Sequence, residues 1–529
     1  MGGVIAAGDK QTADAGARIL AQGGNAVDGV VAAAFASFVA ESMLVNIGGG
    51  GIGMVYDGGQ NGRPATGATA YDFFSTMPSK PLGADADFRE IVIDFGPAQQ
   101  SFHIGRASVA VPGAVAGLCR MAQERGRLPL AQLLQPAVDL AYTGAVISPA
   151  QDYVAELLTT IFTDTPSLTA RYAPQGHMVR AGDFVHLPQL GATLEKLGET
   201  GPSLFYTGAI AQAILADQQA HGGLITPADL AGYRARGLTP IAVAYRGHTV
   251  LLPPPSSGGG VLIAFALRLL DGLDLSGMDH SSGGHVRLLA EAMRHTNLAR
   301  RDWETSTGPD GQRIRHFLAE EHVSRFRRKL VSALSGGESI PDPAFANGPS
   351  DTTHISVVDD RGLIAAVTTS AGENAGFVVG ETGVCLNNML GEMDLHPGGF
   401  HQLAPGTRLS TMMSPAIVLR DGAPILAVGS GGSSRIRSAI LQVIVNVLDF
   451  HMPVADAITA PRIHFEEDAL QAEGDIPAKA VDELRTWGYN VTHWPGHNMY
   501  FGGAHTVAME DGHLVAAGDP RRGGSVAVV

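Results

Sequence analysis

The stretch Asp351-Thr352-Thr353-His354-Ile355-Ser356-Val357-Val358-Asp359-Asp360-Arg361-Gly362 constrains the chain more than any other. Ile355, Val357 and Val358 favour a strand, and Asp359 to Gly362 are turn formers. The run Leu363 to Ser370 returns as a second strand, so the pair reads as a hairpin. Its opening on Asp-Thr-Thr-His carries a chemical option as well. If the bond before Thr352 is cut, that residue holds a hydroxyl and a free amine together, a nucleophile with its own base. An α-amine titrates near pH ~8, so part of it is neutral and able to take the hydroxyl proton. On residue type alone, a Thr-Thr pair in a strand is ordinary, so the rest of the chain has to decide.

The whole sequence limits the alternatives. At 529 residues there is chain for roughly three to four domains of about 150 residues, or for one large α/β unit. Hydrophobic residues make up 45% and charged residues 16%, a globular balance. A formal net charge of −15 disfavours nucleic acid and anionic membranes as partners. Cys119 and Cys385 stand far apart in apolar sequence and read as buried thiols. There is no CxxC or HExxH pattern, so no metal is expected, and no cofactor. His280, His285 and His295 fit no ligand spacing and read as surface or capping residues. Arg300-Arg301, followed by Asp302 and Glu304, reads as a solvated helix face. The apolar run Gly29 to Ala40 is too short to span a bilayer. Met1 to Lys10 lacks the basic start of a signal peptide, so the expected location is the cytoplasm unless a leader has been trimmed.

Local signals place the elements. Gln11 to Leu20 reads as an Ala-rich helix closed by Gly23-Gly24, and Asn25 caps a second helix from Ala26 to Val39. Asn46-Ile47-Gly48-Gly49-Gly50-Gly51-Ile52-Gly53 contains GxGxxG. It follows a helix and precedes a strand, the reverse of a dinucleotide site. Leu130 to Tyr142 reads as an amphipathic helix, and Thr226-Pro227 starts another. Pro253-Pro254-Pro255-Ser256-Ser257-Gly258 reads as a rigid structural turn into a helix over Val261 to Leu270. Residues 336–350 are rich in Gly, Pro, Ser and Asn, a loop whose slack would let a new chain end move away. Gly429-Ser430-Gly431-Gly432-Ser433-Ser434-Arg435 opens a helix from Ile436 to Phe450 and presents backbone N–H groups to an anion.

These motifs, in this order, resemble the γ-glutamyltranspeptidase family of N-terminal nucleophile hydrolases. The resemblance rests on Thr352-Thr353-His354-x-Ser356-Val357-Val358-Asp359, on Asn46 to Met54, on Val111-Pro112-Gly113, and on Gly380-Glu381-Thr382-Gly383 with Leu386-Asn387-Asn388. It extends to Leu409-Ser410-Thr411-Met412-Met413-Ser414-Pro415, the loop at Gly431-Gly432, and Asp519-Pro520-Arg521. It implies an α+β fold, the four-layer αββα sandwich, and cleavage into a large segment 1–351 and a small segment 352–529 that stay together. A dimer of such pairs is possible. It also implies Thr352 as nucleophile, Ser370 as its supporting hydroxyl, and Gly432 and Ser433 as oxyanion donors, with Gly431 as a neighbouring candidate.

The match fails in the substrate pocket. Phe74 stands where the family carries an Arg that clamps an α-carboxylate, and a phenyl ring offers no such fork. Met389 replaces a Gln, Glu392 an Asp, and a pocket Asn falls on Gly372 or, with a shifted gap, on Asn374. Ser410 and Thr411 complete the implied substrate contacts. The favoured reading is therefore an amidohydrolase acting on a small-molecule amide with a non-glutamyl acyl group. A second reading is a true γ-glutamyl hydrolase or transferase that uses Arg106 or Arg408 for the carboxylate. A third is an uncleaved, silent relative acting as a binding protein.

Overall fold

Thirteen strands, grouped as two antiparallel sheets, build the centre of the protein. The computed structural model describes residues 2–59, 66–94, 99–275, 277–336, 352–396 and 398–529. The first sheet runs Ser525–Val528, Gly3–Ala7, Thr353–Asp359, Ile364–Ser370, Gly50–Asp57, Gly67–Phe73 and Arg236–Leu238. The second runs His513–Ala517, Gly503–Glu510, Ala423–Gly431, Ala416–Arg420, His248–Leu252 and Ile241–Tyr245.

Alternation along each strand assigns its side chains to layers. Val358, Ile364 and Ala366 from the first sheet meet Ile417, Ala427 and Val507 from the second, forming the core between the sheets. The other face of the first sheet, with Ile355, Val357, Ala365 and Val367, packs under the helices Lys10–Ala21 and Ala26–Ala40. The outer face of the second sheet, with Val250, Leu252, Val418 and Val428, packs under Gly258–Asp271, Gly283–Thr305 and Arg435–Leu448. Three apolar interfaces between four layers make the expected αββα sandwich. Each fully buried Val, Leu or Ile contributes on the order of 1.5–3 kcal/mol.

The local signals hold where they are strong. Asn25 caps Ala26–Ala40 through a capping box with Asp28, and every residue of that helix is buried. Thr226 and Asp229 cap Pro227–Gly232 in the same way. The predicted hairpin spans Thr353–Asp359 and Ile364–Ser370, with Thr353 opposite Thr369. Both cysteines are free and buried. Among the described residues, no helix is long and apolar enough to cross a membrane.

Two expectations are corrected. His285 and His295 are core residues, each 2% exposed. His285 Nδ1 accepts from Ser281 N, and His295 Nδ1 lies 2.9 Å from the Glu291 carbonyl. Arg300 is also buried and is not on a solvated face. Asp351 and residues 337–350 lie outside the described residues, so the expected cleavage point falls at the edge of the described chain.

Candidate active site

Thr352 stands at the head of a central strand and is only 3% exposed. Continuing the register of Thr353 with Thr369 sets it across from Ser370. Both lie on the strand face that carries His354, Thr368 and Ala366, the face turned toward the second sheet. Thr352 and Ser370 share the wall of a cavity of about 680 Å³, the size of a pocket for a small molecule. Ser370 Oγ accepts from Gly372 N at 3.0 Å, which fixes its hydroxyl.

The second sheet closes the site from the other side. A Cβ at Gly431 would fall 2.3 Å from the Thr352 carbonyl oxygen, so only glycine allows the two backbones to approach. The chain then turns through Gly432 at φ +114° and Ser433 at φ +48°. Arg435 N donates to the Gly432 carbonyl and Ile436 N to the Ser433 carbonyl, tightening the helix start. The N–H groups of Gly432 and Ser433 themselves take no backbone carbonyl among the described residues. They are the orphan donors expected where a loop enters a helix. Ser433 also faces the cavity, and its Oγ donates to Asp394 Oδ2 at 2.8 Å. Burial raises the Asp394 carboxyl from its ordinary value, against the Ser433 hydrogen bond and the Arg435 charge.

His354, two residues after Thr352, is not a base for it. Its ring lies between Thr368 Oγ1 and Ser356 Oγ, both at 2.8 Å. Burial, with His505 nearby, pushes its pKa far below the ordinary value and keeps it neutral.

The structure brings most of the sequence-predicted residues together. Phe74, Met389, Glu392, Ser410 and Thr411 line the same cavity as Thr352, Ser370 and Ser433. Gly372 and Gly432 are not on the cavity wall themselves. A Cβ at Gly372 would meet Glu392 Oε1 at 1.9 Å and Asn388 Oδ1 at 2.2 Å, and the φ of Gly372 is +64°. No asparagine side chain fits at that position. Asn374 is no substitute, since its Oδ1 accepts from Gly376 N and it too is absent from the wall. Asn387 and Asn388 are ties between segments: Asn387 Nδ2 donates to the Gly48 and Ala110 carbonyls, and Asn388 Oδ1 accepts from Glu373 N.

The two arginines offered as alternative carboxylate clamps are already engaged. Arg408 Nη1 donates to the Phe74 carbonyl and to Tyr233 Oη, both at 2.7 Å, and pairs with Asp72 at 3.4 Å. Arg106 pairs with Asp217 at 3.0 Å and Asp87 at 3.5 Å, lies 4.0 Å over the Phe377 ring, and is not a wall residue.

Several wall residues escaped the sequence reading. Pro255, Ser256 and Gly258 of the proline-rich turn belong to the wall, as do Arg300 and Trp303 of the helix Gly283–Thr305. Ser256 is tied in by its carbonyl, which accepts from Thr411 N at 3.0 Å. Asp394 was missed as well, and its position two residues beyond Glu392 was the only local signal.

A four-layer αββα sandwich with a threonine heading a central strand in a walled cavity, opposite a glycine turn at a helix start, is the architecture of the N-terminal nucleophile hydrolases. Comparison with known proteins makes this specific. The γ-glutamyltranspeptidase family model matches residues 12–529. An acylase proenzyme from Pseudomonas sp. (strain V22) is 34% identical, over 97% of this chain and 91% of the relative. The glutathione hydrolase proenzyme of Escherichia coli (strain K12) is 30% identical, over 98% and 90%. The chain belongs to the γ-glutamyltranspeptidase family of amidohydrolases and acyltransferases. In fold it is similar to the cephalosporin acylase of Bacillus halodurans, with a TM-score of 0.81, 23% identity, and coverage of 99% of this chain and 95% of that one. The γ-glutamyltranspeptidase of Helicobacter pylori aligns over 61% of this chain and 89% of its own, at 28% identity and a TM-score of 0.51.

Proposed function

We propose that the protein is a self-processing amidohydrolase that cuts itself before Thr352 and then cleaves a small-molecule amide whose acyl group is not γ-glutamyl. In the processing step, Thr352 Oγ bonds to the Asp351 carbonyl carbon and the peptide C–N bond breaks. The hydroxyl proton goes to the departing nitrogen, and water then cleaves the ester, restoring the hydroxyl. In turnover, the freed amine takes the proton from Oγ as it attacks the substrate amide, and returns it to the leaving amine. The acyl group then passes to water or to an acceptor amine.

The N–H groups of Gly432 and Ser433 would hold the oxyanion in both steps. Loss of one such donor costs roughly 2.7–4 kcal/mol of barrier. Ser370 supports the nucleophile from across the strand pair. The observation that carries this reading is the placement of Thr352, which joins the cavity, Ser370 and the Gly431–Ser433 turn in one place. The word proenzyme in the names of the relatives supports it.

The acyl preference rests on the walls. Phe74 and Met389 are apolar and each 1% exposed, and Arg106 and Arg408 are held by other partners. The wall also carries Arg236, Arg300, Arg313 and Arg408, so the preference rests on Phe74 and Met389 standing where the family's polar contacts to the glutamyl end would be. Losing such contacts weakens discrimination in favour of that end.

Intact mass tests processing. Wild-type protein should give two fragments that divide before Thr352, and Thr352→Ala one full-length chain. A stable single chain in both would overturn the proposal. The acyl preference is tested by comparing γ-glutamyl anilide and glutathione with a panel of apolar and dicarboxylic acyl amides. Faster turnover of glutathione than of every panel member would favour the true γ-glutamyl reading, toward which the E. coli relative points.

A further inference from the structure

A second polar cluster lies on the opposite face of the nucleophile's sheet, under the helix layer, and the reaction above makes no use of it. Glu41 follows the last residue of the helix Ala26–Ala40 and is 1% exposed. A helix C-terminus is an unfavourable place for an anion, and burial of a carboxylate is costly unless it is well bonded. This one is well bonded. Its Oε1 accepts from Thr12 Oγ1 at 2.7 Å and its Oε2 from Thr353 Oγ1 at 2.6 Å. Thr353 is the residue directly after the nucleophile. Alternation turns its side chain away from the cavity that Thr352 lines.

The rest of the cluster is built closely around that contact. A Cβ at Gly8 would fall 2.6 Å from Thr353 Oγ1 and 2.7 Å from Glu41 Oε2, so bare backbone covers the bond. The charges that bear on Glu41 are those of Asp9, which precedes the helix Lys10–Ala21, and Arg522 near the chain's end. His505, whose Nε2 lies 3.4 Å from the same Gly8 Cβ position, is kept neutral by burial, with its pKa near 4. Farther along this strand face, the residues under the helices are Ile355 and Val357. Apolar packing suffices there, and at the far end of the strand the Asp359 carboxylate accepts from Ala26 N at 3.2 Å, leaving Glu41 as the carboxyl beside the nucleophile.

We infer that Glu41 is a positioning residue for Thr352, acting through the Thr353 hydroxyl to fix the first peptide of the strand against Ser370 and Gly431. The inference rests on Thr352 as the self-processing nucleophile. Before the chain is cut there is no α-amine at Thr352, so the pH dependence of processing reports on the surrounding groups.

The test follows processing by intact mass in freshly purified wild type, Thr353→Val, Thr353→Ser and Glu41→Gln, with thermal melts confirming that each variant is folded. Removing a hydrogen bond to a charged group is expected to slow processing about tenfold in Thr353→Val. Thr353→Ser keeps the hydroxyl and should stay within about twofold of wild type. Wild-type processing should speed up as the pH rises through about 7, where Glu41 ionises and accepts more strongly, and Glu41→Gln should lose that rise. A folded Thr353→Val that processes like wild type overturns the inference while leaving the proposed function standing. So does a Thr353→Ser as slow as Thr353→Val. A wild type that never processes overturns both.

Discussion

At the scale of single residues, chemistry and space are decided together. Gly431 is the sharpest case, because the atom a methyl group would strike is backbone. An alanine there would sit 2.3 Å from the Thr352 carbonyl oxygen, and no rotamer change relieves that contact. The strands must part or the first residue of the small segment must shift, at a cost of about 1–3 kcal/mol. Gly431→Ala is therefore expected to fold with a lowered Tm and to remain a single chain, and wild-type processing in this variant would refute the tight approach. Thr352, Phe74 and Met389 were legible from the sequence because a motif fixes their place. At Gly372 one sequence could show that the family's asparagine is missing, but not that Glu392 and Asn388 already fill the space where its side chain would go. Arg300 was misread for a related reason. Arg, Asp and Glu in succession look solvated until the tertiary fold lays that helix along a cavity.

At the scale of elements, the hairpins and caps were legible because their causes are local. Asp359 to Gly362 can do little but turn, and Asn25 with Asp28 satisfies a helix start within one turn. The proline-rich segment at Pro253 to Gly258 was equally legible as a turn, yet its function as cavity wall depends on Thr411, more than 150 positions later. The helix Ala26–Ala40 shows how one element couples stability to pH. It is buried on every side and ends on Glu41. Burial pushes that carboxyl from 4.5 up to about 7, and Asp9 adds to the rise, while Thr353, Thr12 and Arg522 pull the other way. The folded protein holds a proton there that the unfolded chain releases above pH 4.5. The stability from this group is complete below pH 4.5 and is lost as the pH rises through about 7. Glu41→Gln cannot titrate, so its Tm should fall less than that of wild type between about pH 5 and about pH 8. Parallel falls would show that Glu41 keeps an ordinary pKa.

At the scale of the whole molecule, the two segments on either side of Thr352 are interleaved and not merely docked. In the first sheet, Gly3–Ala7 from the first segment lies between Ser525–Val528 and Thr353–Asp359 from the second. Ile364–Ser370 in turn pairs with Gly50–Asp57 of the first. In the second sheet, His248–Leu252 of the first segment pairs with Ala416–Arg420 of the second. Cutting the chain before Thr352 removes one covalent bond and none of these ladders. Separating the pieces would open backbone hydrogen bonds in both sheets and expose all three apolar interfaces, a cost close to that of unfolding the protein. The processed protein should therefore elute from a sizing column as one species containing both fragments, unchanged by high salt, because the interfaces are apolar and salt screens only charges. The fragments should part only at denaturant concentrations that also abolish the near-ultraviolet circular dichroism of packed aromatic side chains. Separation of the fragments in native buffer would mean that the segments are joined by a smaller surface than these strand orders require.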